Sequence, residues 1–189
     1  MRTMGWRLLA YRSSLNPGRY TMETEERESR DFLATLGLAF FYAQAVEYGL
    51  VSVFAATELE RGGLTKSVLS RIRPIMDARY KQVLGKLVRD AAGDLNLAPE
   101  LTSALESALQ QRNWLVHHFY AEFAPAAFHS DIREMAIRKL RPMIEEMQEL
   151  NDKLAVEAKR RMATAGIPDK EMEIGIQQAM DDYVSDLRK

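Results

Sequence analysis

The chain has no cysteine, which excludes disulfides, cysteine-based zinc sites, iron–sulfur clusters and thiol catalysis. Three histidines leave little material for a metal centre. Neither sign of charge is in excess: 26 Lys and Arg stand against 27 Asp and Glu, for a net charge of −1. That balance argues against a broadly basic nucleic-acid wrapper or a polybasic membrane binder, though not against a local basic cleft. No stretch reads as the roughly 20 apolar residues of a membrane-spanning helix, so no membrane partner is expected. A phosphate loop is missing too, because Gly62-Gly63 is followed by Leu-Thr-Lys-Ser without the required spacing or a preceding strand. What is present is 189 residues, 47% apolar and 28% charged, enough for one compact soluble domain. With no cysteine, a cytoplasmic location is the expectation.

The first 21 residues differ from the rest. Met1 to Tyr20 contain Arg2, Arg7, Arg12 and Arg19 and no acid, and their apolar run at Leu8–Tyr11 is too short for a secretory signal. They read as a disordered leader, or as translated upstream sequence with the biological start at Met22.

From Glu23 onward helical patterns alternate with short breakers, and no segment sustains period-two alternation. The first helix is expected from about Glu25 to Glu60, stopping at Gly62-Gly63, with a middle so apolar that it reads as the central buried helix. A loop or short helix should cover Leu64 to Arg73 and break at Pro74, and a second helix should span Asp77 to Ala92. Pro99 suits the first position of a third helix reaching Phe123. Ser130 or Asp131 is placed to cap a fourth, reaching about Ala163. This last carries a stripe at Ile132, Ala136, Leu140, Met143, Met147, Leu150 and Leu154, the spacing of a helix buried along one face, with Pro142 expected to kink or divide it. Asp169 to Leu187 reads as a closing amphipathic helix. The fold class is therefore all-α: an up-and-down bundle of four to five main helices over residues 22–165, with a helical extension over 166–189.

Chemistry concentrates in the third helix, at Arg112-Asn113-Trp114-Leu115-Val116-His117-His118-Phe119-Tyr120. At 100° per residue, Leu101, Leu105, Ala108, Leu109, Val116 and Phe119 all fall within about 60° of Arg112. An arginine thus occupies the middle of an apolar stripe, and burying its guanidinium costs several kcal/mol unless it is paired or opens onto water. Glu47, three residues after Gln44 on the first helix, is a candidate partner. Asn113 and His117 are four apart and share one flank, while His118 points about 100° away, toward another surface. The plainer account makes Arg112 half of a buried ion pair and His117 an ordinary partly buried histidine. The adjacent histidines diverge and His129 lies in a loop, so neither a metal nor another cofactor is expected. The ingredients of a Ser/His/Asp site occur without a nucleophile-elbow motif. Lys159-Arg160-Arg161 reads as a solvated face of the long helix.

Arg112-Asn113 followed by His117 resembles the HEPN superfamily, small helical domains with an Arg, four to six residues and a His near the end of one helix. Gln82-Val83-Leu84-Gly85-Lys86-Leu87-Val88 is similar to the Leu-Gly segment that precedes the motif helix in some of its members. The resemblance covers about Arg30 to Leu154. It implies a metal-independent endoribonuclease, usually a symmetric dimer with two motif helices across a cleft, acting on RNA in toxin or defence roles and in some cases held by an antitoxin. Carried over, Arg112 stabilises the phosphate, His117 is the general acid or base, and Asn113 orients them or completes the cleft; beside the resemblance, Glu47 and His118 are the further supporting candidates. Other members are non-catalytic dimerisation or interaction modules. A third possibility, a small-ligand-binding bundle, would hold Arg112 in a dry pocket within one chain.

Overall fold

The computed structural model describes residues 22–63, 65–168 and 170. The basic leader and the expected closing helix lie outside the described residues. Among those described the protein is all-α, with no strand.

Helix α1 runs Met22–Gly62 and ends where the sequence places the stop: Gly63 takes a φ of +66° and its N–H donates to the Leu59 carbonyl at 2.8 Å. Glycine adopts that left-handed turn without the Cβ clash other residues meet. Helix α2, Lys66–Tyr80, is capped by the Thr65 hydroxyl, which accepts from the Val68 N–H at 3.3 Å. It passes straight through Pro74, against expectation. Pro74 and Ser70, whose carbonyl the ring deprives of a donor, are both exposed, so water can replace the missing bond. The expected second helix is accordingly split: Asp77–Tyr80 complete α2, the chain turns at 81–82, and α3 starts anew at Leu84–Asp94. It outlasts Gly93, and the turn falls instead on Asn96, with a φ of +46°.

Helix α4, Pro99–His117, has proline in its first turn as expected. It does not reach Phe123. His118 interrupts it with φ −120° and ψ −25°, and α5 (Phe119–Phe123) and a 3-10 turn (Ala124–Ala127) follow. Phe119 and Phe123 both bury against Trp114, at ring-centroid distances of 5.7 and 6.3 Å, and Phe119 also stacks on Phe32 at 6.3 Å. This aromatic cluster rewards the change of direction at a site where valine and two histidines hold a helix weakly. Helix α6, Ser130–Thr164, begins after His129 without a side-chain cap, and is not divided at the exposed Pro142. Its stripe from Ala136 to Leu154 is buried, with Ile132 half-buried at the start.

Pairings fix the topology. Tyr48 meets Tyr80 and Gly62 approaches Val68, so α2 descends along α1. The Asp94 carbonyl accepts from Arg61, which makes α3 rise, and Arg112 faces Glu47, which makes α4 descend. Glu28 pairs with Arg133, Gly49 approaches Leu154, and Thr57 accepts from Arg161, so α1 and α6 lie parallel. Up, down, up, down, up is the expected bundle, and its five passes explain why the first and last helices share a direction. The two long helices are the spine: at 1.5 Å per residue α1 extends about 60 Å, while α2 and α3 together flank only its upper part.

That shortfall decides the surface. From Leu50 to Leu59 α1 is buried almost all round, but below that Leu33, Leu38, Phe40, Phe41 and Tyr48 are exposed. Helix α1 is the central helix in its upper part and one-sided for the rest. By length and composition alone it is apolar enough to cross a membrane, with an 18-residue window of mean hydropathy 1.4 within Thr24–Gly62, which departs from the sequence expectation. Its abundant alanines and aromatics raise that mean without forming an unbroken aliphatic run.

Candidate functional site

Arg112 lies on α4 opposite α1. Its Nε is 3.6 Å from Glu47 Oε1, and its Nη1 donates to Asn113 Oδ1 at 3.4 Å. The partner named from sequence is thus the partner observed. The side chain nevertheless retains 26% exposure, so the seat is half open rather than a dry core. The sequence wheel was rotated: the buried side of α4 runs through Leu105, Ala108 and Leu115, while Val116 is exposed and Leu109 half-buried. Arg112 therefore stands at the edge of the stripe. The cause is α3, which begins at Leu84 and covers α4 only above this level, its Gly85 facing Leu109.

Asn113, His117 and His118 are all exposed. Asn113 and His117 share the open flank beside Arg112, as their spacing requires. His118 marks the break between α4 and α5, which gives it a positional role in the backbone and separates it from the other four residues. Phe40, seven residues before Glu47 and so on the same face of α1, is exposed, as are Val116 and Tyr120 around the motif. The site is an open surface with one guanidinium, one amide and one imidazole at helical spacing, rimmed by apolar side chains. Arg112 opens outward, which is not the sealed pocket of a small-ligand bundle.

Electrostatics separate the motif from its surroundings. Burial pushes the Glu47 carboxyl above its usual range, and the charge of Arg112 works against that shift. On the opposite side of α4, Lys139 donates to both oxygens of Glu122 at 2.6 and 2.8 Å and sits 4.2 Å from the Trp114 ring. Trp114 donates to Glu122 at 3.1 Å. The hydrogen bond from Lys139 holds the Glu122 carboxyl below its usual range. This Trp114–Glu122–Lys139 clamp ties α4, α5 and α6 together behind the motif.

Two arginines that sequence reasoning missed are the deeply buried ones. Arg161, read as part of a solvated run, donates to Thr57 Oγ1 at 2.9 Å, to the Leu95 carbonyl at 2.6 Å and to Glu157 at 2.7 Å, and pairs with Glu60 at 3.3 Å. Arg133 donates to the Ala126 carbonyl at 3.3 Å and lies 3.5 Å from Glu28. The signal was available: both positions continue the α6 stripe, Arg133 three before Ala136 and Arg161 three after the buried Ala158. Only Lys159 and Arg160 of the basic run are exposed.

Among the described residues no cluster of His, Asp and Glu is arranged to hold a metal ion. No family model, curated protein or solved structure matches the chain.

Proposed function

We propose that the protein is a metal-independent endoribonuclease of HEPN type, with Arg112 and His117 acting at a cleft formed when two copies meet through the motif face. The observation that carries this reading is the half-open seat of Arg112, one amide away from Asn113 and one turn and a residue before an exposed imidazole. In such a site the RNA 2′-oxygen loses its proton and attacks phosphorus while the bond to the 5′-oxygen breaks and that oxygen is protonated. His117 performs one of the two proton transfers near neutral pH. Arg112 remains charged and its planar fork grips two phosphate oxygens as negative charge accumulates on them. Asn113, already in hydrogen-bond contact with Arg112, orients it. The exposed Phe40, Val116 and Tyr120 supply apolar area for a second copy to cover. A toxin or defence role and an antitoxin partner belong to the same proposal, as does a cytoplasmic location.

A second reading, the non-catalytic interaction module, is favoured by Glu47, which engages the guanidinium that a phosphate would need. The two part in one experiment. End-labelled RNA is incubated with purified protein in excess chelator, and sedimentation equilibrium measures the assembly. The nuclease reading expects a dimer whose cleavage falls by about 100-fold or more in Arg112→Ala and in His117→Ala. A dimer that leaves diverse RNAs intact supports the module, and a monomer without cleavage overturns both.

A further inference from the structure

A second open feature lies away from the motif, between α1, α2 and the end of α6. It is a groove of about 620 Å³ whose exposed wall is nearly all apolar, lined among others by Phe41, Tyr48, Met76, Ala155, Ala158 and Met162. Phe41 is 62% and Tyr48 55% exposed, large aromatic areas left facing water. We propose that this groove is the seat of the chain's own C-terminal segment, residues 169–187, docked as a helix antiparallel to α6.

Four observations support that occupant. The first is where the chain leaves α6. Gly166 takes a φ of +83°, its N–H donates to the Ala163 carbonyl at 3.0 Å, and the Ile167 N–H donates to the Met162 carbonyl at 3.1 Å. This closed turn ends the helix within a turn of Met162, itself on the groove wall, so the segment that follows starts at the groove's upper end. The second is pattern: Met172, Ile176, Met180, Tyr183 and Leu187 recur at four, four, three and four, one apolar face of a helix, and Asp169 after Pro168 is a suitable cap. The third is length. Nineteen helical residues span about 28 Å, while the groove follows α6 from Met162 down to Asn151 and α1 from Ser52 to Phe41, about 17 Å along each helix. The fourth is charge. Residues 169–189 hold six acids against three bases, while Lys159 lines the groove and Arg73 is exposed on α2, three residues before Met76.

The absence of cysteine gives a clean test. In the full-length chain Ser52→Cys is paired with Met180→Cys, on the apolar face of the segment, or with Asp181→Cys, on its polar face. Mild oxidation at low protein concentration is expected to give an intrachain disulfide, read by mobility on a non-reducing gel, in the first pair and several-fold less in the second. Hydrogen exchange on the unaltered chain is expected to find the amides of residues 172–187 slowed at least tenfold relative to an unstructured peptide of that sequence. Equal yields from the two pairs, a product linked between chains, or amides exchanging at the peptide's rate would each overturn the proposal.

Discussion

Arg161 and Arg112 are the same residue type in two regions that use it differently. At the top of the bundle Arg161 is 6% exposed and meets two carboxylates, a hydroxyl and a carbonyl from α1, from its own helix α6 and from the loop after α3. Midway down α4, Arg112 is 26% exposed and has one carboxylate at 3.6 Å and one amide at 3.4 Å. Every nitrogen of the first guanidinium has a partner within its own chain, and the side chain is closed off from solvent. The second is partly exposed and has donors beyond those two contacts, at a level of α4 that α3 does not reach. A guanidinium sealed among several partners serves the architecture, whereas one that is partly exposed with few partners marks a candidate site.

Removing the saturated arginine is the harshest way to probe this contrast. Arg161→Ala leaves the Thr57 hydroxyl and the Leu95 carbonyl without their buried donor and takes one partner from Glu60 and Glu157, which keep Arg160, and is expected to cost roughly 2–4 kcal/mol in denaturant unfolding. Arg112→Ala frees only the half-buried Glu47 and is expected to stay within about 1 kcal/mol of the parent protein. Equal losses from the two substitutions would erase the distinction. A smaller effect sharpens it. Because the folded pKa of Glu47 stands above its unfolded value, protonation favours the folded state, and that contribution fades as pH rises through the folded pKa. The parent protein is therefore expected to lose stability relative to Glu47→Gln as pH rises from about 4 through the raised pKa of Glu47, measured as the difference in unfolding midpoints. A difference that grows in the opposite direction would mean that the pairing with Arg112, not burial, governs this carboxyl.

How far these regions were legible follows from what periodicity encodes. The α6 stripe, the stop at Gly63 and the start at Pro99 were readable because each depends on neighbours three or four residues away. The passage of α2 through Pro74 was not, since it depends on which side of the helix meets water. The interruption at His118 was hidden for a related reason: its compensation comes from Phe32 on another helix as well as from Trp114 nearby. The wheel puts Arg112 in the middle of the apolar stripe where the structure has it at the edge, while the pairing with Glu47 is as the helix spacing suggests. The wheel could not show that α3 ends short of this level, which is what turns a misplaced core residue into a half-open one. Arg161 was missed by reading three adjacent bases as one surface, although the third of them falls on the buried period.

On the proposed function, Arg112 serves RNA cleavage and not the fold. That assignment is tested most directly by measuring RNA cleavage and the unfolding midpoint on the same preparation of Arg112→Ala. Cleavage is expected to be lost while the midpoint stays close to that of the parent protein. Cleavage undiminished, or a midpoint that falls as far as in Arg161→Ala, would contradict it.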